Sequence, residues 1–258
     1  MGMRSHSHAR SNDITAWVFT TGEVMSSNAA RLRERFARLS SKSEDARAHA
    51  AKGSRARAAV VVALRAREDG DGTYDAALER RARHLRAHAN EVALPGGKFD
   101  AALDECDRDC ALREAREEVG LDANALDVVG ELPCVLSRFM ISVRPIIGEI
   151  VDRSWVPTVN EDEVAEVFYA PLEMFLSDDE RHRFDDYAWP NATRAIRVHY
   201  FDYQGKVIWG LTAAILIRVA SVVYGREPAF QESTDEGVSV WDVVGVDGVA
   251  TARPRSSL

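Results

Sequence analysis

The chain has 258 residues, of which 46% are hydrophobic, so it can bury a substantial core in one large or two small domains. Its formal net charge of −8 argues against a protein that binds nucleic acid nonspecifically. The longest apolar run, Leu211–Val223, is interrupted by Arg218 and is shorter than the roughly 18 residues that a membrane span needs, so we expect no membrane partner. We predict one domain, residues 58–230, between a basic N-terminal extension, residues 1–57, and a tail, residues 231–258.

The N-terminal extension contains one predicted helix. Asn28 is suited to cap a helix that continues to about Leu39, in which Leu32 and Phe36 form an apolar stripe between arginines. We expect this basic amphipathic helix to pack on the domain; a presequence or a helix on a membrane surface is the alternative. Residues 40–57 have the composition of a polar linker.

The domain is predicted to begin with a buried strand, Ala58–Leu64, because this stretch is rich in β-branched residues. A loop with two glycines, residues 68–75, follows it. Four arginines then lie close together in the sequence: Arg80, Arg81, Arg83 and Arg86. A guanidinium donates two hydrogen bonds to one phosphate, so this patch suits a polyanionic substrate, although arginines on a surface strand often only interact with solvent.

A helix that carries three glutamates follows the Pro95-Gly96-Gly97 turn and an acidic loop. Apolar residues at helical spacing predict a helix that ends at Gly120. Glu114, Glu117 and Glu118 lie on one face, since residues three and four apart are neighbours on a helix. Like charges at this spacing destabilise an isolated helix, so stability alone does not favour them.

A bound hard cation would remove this repulsion. Carboxylate oxygens favour Mg²⁺ or Mn²⁺, and Mg²⁺ commonly shares its coordination with water and substrate phosphates. The pattern therefore indicates metal-dependent phosphoryl or diphosphate chemistry. The alternative is a solvated helix face on which Arg113 and Glu117 form an ordinary surface pair.

The rest of the chain alternates strands with helices. Predicted strands cover Val128–Leu132, Met140–Ile150, Val164–Tyr169, Ile196–Tyr203 and Lys206–Trp209, and Thr212 is suited to cap a closing helix to Tyr224. Pro171 is expected to open a further helix. An acidic cluster that includes Glu163 precedes the third of these strands. The patch Val238–Val249 adds a strand or stays loose.

Three cysteines, Cys106, Cys110 and Cys134, form no CxxC pair, which favours an intracellular, reducing compartment. The terminal Ser-Ser-Leu is a weak variant of a peroxisomal signal or a chance occurrence. Cytoplasm, mitochondrion and peroxisome therefore stay open.

The stretch from Glu105 to Leu121 resembles the Nudix box: Glu105, seven residues, then Arg113-Glu114-Ala115-x-Glu117-Glu118-x-Gly120-Leu121. The loop differs from the usual box, since seven residues instead of five separate Gly97 from Glu105, and Phe99 holds the nominal glycine position. The resemblance implies an α/β fold, an α/β/α sandwich around a mixed β-sheet.

The preceding segment resembles the coenzyme A diphosphatase branch of this family. Its pattern is matched by Arg81, Ala82, Arg86 and Pro95-Gly96-Gly97, with Asn90 in place of a glycine and Leu94 in place of an aromatic residue. The Leu-Leu-Thr that often opens the pattern is here Ala77-Leu78-Glu79. The resemblance covers roughly Ala58 to Phe230 and is close to plant-type members.

The resemblance implies hydrolysis of the diphosphate of coenzyme A or acyl-coenzyme A, with Mg²⁺ or Mn²⁺ as cofactor. Glu117 and Glu118 would be the principal ligands, Glu114 a ligand or the general base, and the carbonyl near Gly97 a further ligand. Arg113 would orient the carboxylates, Glu105 would brace the loop, and Glu163 would complete metal binding or activate water. Arg81 and Arg86 would bind the substrate's phosphates.

Two other functions stay open from the sequence: a Nudix hydrolase of another nucleoside diphosphate, such as ADP-ribose, a dinucleotide or an oxidised nucleotide, and a noncatalytic nucleotide-binding module. The expected partner is a small nucleoside diphosphate and not a nucleic acid. The oligomeric state is open, with a homodimer as one option.

Overall fold

The computed structural model describes residues 21–40, 56–68, 72–188, 195–235, 239–246 and 249–252. The helices are α1 (Thr21–Ser40), α2 (Asp107–Val119) and α3 (Gly210–Tyr224). The strands are β1 (Ala56–Ala66), β2 (Tyr74–Arg81), β3 (Val92–Ala93), β4 (Gly96–Lys98), β5 (Leu126–Glu131), β6 (Val135–Leu136), β7 (Ile141–Ile150), β8 (Val164–Pro171), β9 (His182–Ala188), β10 (Ala195–Tyr203), β11 (Lys206–Trp209), β12 (Val243–Val246) and β13 (Val249–Ala252). Predictions for residues 1–20, most of the linker and the last six residues lie outside the described ranges.

A parallel pair of long apolar strands forms the centre of the main sheet. β1 pairs with β7 from Ala56↔Ile141 to Leu64↔Glu149, and both strands are mostly buried. The order β3-β2-β1-β7-β5 is extended by β4 on β1, β6 on β7 and β8 on β2, all antiparallel. The sheet is therefore mixed, as predicted.

Helices cover both faces of this sheet. On one face, α2 buries Ala111, Ala115 and Val119 against strand residues such as Val61 and Ile146. On the other face, residues of α1 and α3 share a second core with alternate residues of β1 and β7. The three layers confirm the predicted α/β/α sandwich.

Several predicted elements differ in extent from those observed. The closing helix begins at Gly210, and the Thr212 hydroxyl donates to the Val92 carbonyl instead of capping the helix. Pro171 precedes a short 3₁₀ helix, Leu172–Leu176, and not an α-helix. β9 was not expected, because its side chains are mostly exposed and give no apolar periodicity. It joins β10 and β11 in a second, antiparallel sheet.

The first helix belongs to the core. It begins at Thr21, earlier than the predicted Asn28, and the side chain of Phe36 is 1% exposed. A Cβ atom at Gly130 of β5 would lie 2.4 Å from the Phe36 Cβ, so the two elements are in direct contact. Arg35 donates to the carbonyls of Val222 and Val223 at 3.1 and 2.9 Å, which satisfies the C-terminal end of α3. The helix thus joins α3 to the sheet, and the division at residue 57 stays a prediction.

The described residues contain no helix that combines the length and the apolar character of a membrane span.

Phe36→Ala should lower the free energy of unfolding by about 3–5 kcal/mol, because it removes a fully buried ring between α1 and β5. Urea denaturation of the full chain measures this loss. Ala37→Ser, at an exposed position of the same helix, is the control and should cost less than about 1 kcal/mol. Equal, small losses in both variants would show that α1 does not contribute to the core.

Candidate functional site

The segment from Gly96 to Leu121 folds as a turn followed by a helix whose apolar residues mostly face the sheet. Cys110, Ala111 and Ala115 are completely buried beneath the sheet. Gly120 ends α2 with φ of 68°, and the N–H of Leu121 donates to the Ala115 carbonyl at 3.2 Å. The glutamates are thereby placed beside the glycine turn.

Two glycines allow the turn to approach β1 and α2 closely. Gly96 has φ of 155°, and a Cβ atom there would lie 2.4 Å from the Ala59 carbonyl oxygen. A Cβ atom at Gly97 would lie 2.3 Å from the Glu114 carboxyl carbon. The Glu114 carboxylate therefore packs directly on the backbone of Gly97, and a side chain at that position would displace it.

Arg113 lies between the loop and the glutamates. Its Nε and Nη2 donate to the two Asp104 carboxylate oxygens at 2.8 and 2.9 Å. Its Nη1 donates to Glu114 at 2.9 Å and to Glu117 at 3.1 Å. Arg113 thus contacts two of the three glutamates through charge-assisted hydrogen bonds.

The contact with Arg113 comes from Asp104, the residue before the expected Glu105. Glu105 is exposed, whereas Asp104 is buried and holds Arg113. Asp104 also accepts from the Asp100 N–H at 2.8 Å, and its own N–H donates to the Asp100 carbonyl at 2.7 Å. The hydrogen bonds from Arg113 lower the pKa of Asp104 to about 2. The longer loop therefore closes on itself and presents Asp104.

The three helix glutamates have different surroundings. The side chain of Glu117 is 54% exposed, that of Glu114 is 17% exposed and that of Glu118 is 3% exposed. Burial raises the pKa of Glu114. Burial also raises the pKa of Glu118, and the neighbouring charge of Glu79 raises it further. The negative charge of Glu118 is partly compensated by the Gly96 N–H, which donates to its Oε2 at 2.7 Å.

Glu79 was not predicted as a site residue. This β2 side chain is fully buried, and its Oε1 lies 3.5 Å from Arg81 Nη1, which also contacts Glu118 Oε1 at 3.3 Å. Burial raises the pKa of Glu79, with Glu163 and Glu114 contributing. The sequence signal was an acidic residue directly after the apolar run Ala76-Ala77-Leu78, at the position where the related pattern has threonine.

Of the two remaining predicted residues, Glu163 lies near the helix glutamates and Arg86 does not. Glu163 is half-buried, its carbonyl accepts from the Ala82 N–H at 2.8 Å, and its charge acts on Glu79 and Glu114. It is therefore near the helix glutamates. Arg86 is exposed in the turn after β2, and the structure gives it no contact with the other site residues.

The donor set fits a hard divalent cation. Carboxylates of Glu114, Glu117 and Glu118 and the Gly97 carbonyl are the oxygen ligands that Mg²⁺ and Mn²⁺ prefer. In the described ranges, no three acidic, His or Cys side chains are arranged so that they could together hold a metal ion. Arg113, Arg81 and the Gly96 N–H occupy carboxylate oxygens instead. A bound cation would replace part of these hydrogen bonds.

A cavity of about 450 Å³ opens beside the glycine turn. Arg81, Gly96, Gly97 and Lys98 line it at the glycine turn, and further charged lining residues include Glu91, Arg138, Arg197 and Glu232. Its walls are mainly apolar, and they include Leu136, Phe139, Ile141, Ile196, Trp209 and Leu211 from β6, β7, β10, β11 and α3. Trp209 therefore lines the cavity and is not enclosed in the core.

Comparison with known proteins gives the family. A family model described as NUDIX domain matches residues 55–205. "Nudix hydrolase 15, mitochondrial" from Arabidopsis thaliana is 46% identical over 181 residues, which cover 68% of this chain and 61% of that protein. "Nudix hydrolase 22, chloroplastic" from the same plant is 45% identical over 181 residues, covering 68% and 58%. The matched region thus spans about three fifths of these plant relatives.

A bacterial relative, "Uncharacterized Nudix hydrolase NudL" of Yersinia enterocolitica, is 42% identical over 149 residues, which cover 57% of this chain and 72% of that protein. Among solved structures, a MutT/nudix family protein from Enterococcus faecalis is 17% identical with a TM-score of 0.43, covering 67% of this chain and 64% of that one. The relatives are named hydrolases, in agreement with the predicted enzyme class. Matched by the family model over more than half of its length, the chain belongs to the Nudix family.

Proposed function

We propose that the chain is a Nudix hydrolase that uses Mg²⁺ or Mn²⁺ to cleave the diphosphate of coenzyme A or acyl-coenzyme A. The products are 4′-phosphopantetheine, free or acylated, and 3′-phosphoadenosine 5′-phosphate. In broader terms, the chain would be a metal-binding pyrophosphatase of small nucleoside diphosphates. The specific proposal is a coenzyme A diphosphatase.

The cavity is the observation that supports coenzyme A as the substrate. A volume of about 450 Å³ lies within the range of small-molecule sites. Arg81 and Lys98 line the cavity beside the glycine turn, which suits a diphosphate, and most of the remaining exposed lining is apolar. Coenzyme A combines a diphosphate with a long, flexible arm in which apolar carbons alternate with two amides and a hydroxyl. ADP-ribose carries a second polar sugar instead, which would leave polar groups without partners against Ile141 and Leu211.

The reaction adds one water across the diphosphate. The water oxygen bonds to one phosphorus, the bond from that phosphorus to the bridging oxygen breaks, and the bridging oxygen leaves with the other phosphate. One proton from the water passes to a base. Glu114 and Glu163 are the candidates for this base, since both lie at the site and Glu114 has a raised pKa through burial.

The divalent cation supplies neutralisation of the diphosphate and of the charge that develops in the transition state. Glu117 and Glu118, with the Gly97 carbonyl, would hold it, and Glu114 is either a further ligand or the base. Arg113 keeps Glu114 and Glu117 in position from its anchor on Asp104. Arg81 is placed to bind a phosphate where the cavity meets the glycine turn.

A reducing intracellular compartment is part of this proposal, since Cys106, Cys110 and Cys134 are all free thiols. The two plant relatives are named mitochondrial and chloroplastic, so an organelle is one such compartment.

Coenzyme A should be preferred over ADP-ribose in competition kinetics with the purified full chain. Leu211→Ser should raise KM for coenzyme A about threefold to tenfold, because it removes apolar contact with the arm, and should leave kcat and ADP-ribose hydrolysis nearly unchanged. Val207→Ser, an exposed β11 position outside the cavity, is the control. A clear preference for ADP-ribose would reverse the substrate assignment.

Glu117→Gln should lower kcat by at least about a hundredfold, because it removes a charged ligand of the cation while keeping the side-chain shape. The circular dichroism spectrum should not change, since Glu117 is more than half exposed. Turnover within about threefold of wild type would contradict its assignment as a ligand.

Asp104→Asn should lower kcat by about tenfold or more, because Arg113 loses the charged anchor that holds it against Glu114. Glu105→Gln, at the exposed neighbouring position, should stay within about twofold of wild type. Steady-state kinetics of the two variants side by side make the comparison. A larger loss in Glu105→Gln than in Asp104→Asn would restore the role expected from the box spacing.

A further inference from the structure

The buried pair Glu79 and Glu118 holds more negative charge than its surroundings balance. Glu79 is 0% exposed and the Glu118 side chain 3% exposed. They share one cation, since Arg81 Nη1 lies 3.5 Å from Glu79 Oε1 and 3.3 Å from Glu118 Oε1. Two carboxylates therefore face one guanidinium.

One oxygen of this pair has no hydrogen-bond partner in the described structure. Glu118 Oε2 accepts from the Gly96 N–H at 2.7 Å, but Glu79 Oε2 is buried and accepts from nothing. The other charged groups that face Glu79 are Glu163 and Glu114, which add repulsion. A buried carboxylate oxygen without a partner is costly, so this arrangement is stable only when another positive charge or a proton is added.

The direction of the Glu79 side chain points to the cation site. Alternate residues of a strand lie on the same face, and Ala77, two positions earlier, packs in the core that contains α2. Arg81, two positions later, reaches Glu118 on that helix. Glu79 lies between them on the same face, beneath the helix glutamates and beside the glycine turn.

We propose that Glu79 is a further ligand of the divalent-cation site, adding a carboxylate from β2 to those of α2. Arg81 Nη1 marks a position between Glu79 and Glu118 that already holds positive charge. A divalent ion at this position replaces the guanidinium and balances both carboxylates. Arg81 is then released toward the cavity that it lines, where it binds a substrate phosphate.

This inference rests on the proposed metal dependence but concerns a residue outside the helix motif. It also distinguishes this chain from the related pattern, which has threonine at the position of Glu79. A strand threonine offers a neutral oxygen, whereas Glu79 offers a charged one, so we expect tighter cation binding from the glutamate.

The test is Mn²⁺ binding to the metal-free full chain by isothermal titration calorimetry at neutral pH. Glu79→Gln keeps the shape of the side chain and removes its charge, and it should raise the Mn²⁺ Kd by about tenfold or more. Glu149→Gln is the matched control. Glu149 is also fully buried with both oxygens unpartnered, but it lies near Asp127 and Arg153, away from α2. Its Kd should stay within about twofold of wild type.

Thermal unfolding gives a second readout. Metal-free Glu79→Gln should be at least as stable as wild type, because a buried charge is removed, while the rise in Tm that Mn²⁺ produces should shrink. An unchanged Kd and an unchanged Mn²⁺-induced rise in Tm would overturn the proposal. If Glu79→Gln does not fold, Glu79→Asp decides the question, since a shortened carboxylate should weaken Mn²⁺ binding about threefold or more and equal binding would refute it.

The two proposals can fail separately. Wild-type hydrolysis of coenzyme A together with normal Mn²⁺ binding by Glu79→Gln would remove only the ligand role of Glu79. Weakened Mn²⁺ binding by Glu79→Gln in a chain that hydrolyses no diphosphate would keep that role and remove the proposed reaction.

Discussion

The site depends on the repulsion between carboxylates that are concentrated at the C-terminal half of α2 and on the strand beside it. Glu114, Glu117 and Glu118 lie within about one turn of the helix, and Glu79 faces them from the sheet. Without a cation, two arginines stabilise this charge: Arg113 from the loop side and Arg81 from the sheet side. The arginines thus keep the site assembled and define where a divalent ion would compete with them.

The fold supplies this constraint through close packing. β4 pairs with β1 through Ala58↔Lys98 and Val60↔Gly96, which fixes the glycine turn against the centre of the sheet. α2 buries small residues on the same sheet, so its glutamates can reach the turn. Gly96 and Gly97 lack side chains at the two positions where a Cβ atom would overlap β1 or Glu114. The apolar cavity then extends from this turn to β10 and α3.

The sequence predicts α2, α3 and the long strands well because they depend on local periodicity, whereas the α/β/α sandwich was expected from the resemblance to the Nudix family. The glutamate spacing placed three carboxylates on one face of α2, and the structure brings that face to the glycine turn. Asp104 was missed because spacing aligned Glu105 with the box, while the hydrogen bonds between Asp100 and Asp104 that reshape the loop are tertiary geometry. Glu79 was missed because its importance comes from burial against Glu118, which strand pairing decides. Arg86 was predicted from its position in the sequence pattern, but the structure does not bring it to the other site residues.

The central claim is that these carboxylates serve metal-dependent cleavage of the diphosphate that bears the pantetheine arm of coenzyme A. Its most direct measurement is incubation of the full chain with a panel of diphosphates, with and without Mn²⁺, and identification of the products by mass. The account predicts 4′-phosphopantetheine and 3′-phosphoadenosine 5′-phosphate from coenzyme A only when the metal is present. No metal-dependent product from any member of the panel would contradict it and would favour a noncatalytic nucleotide-binding module.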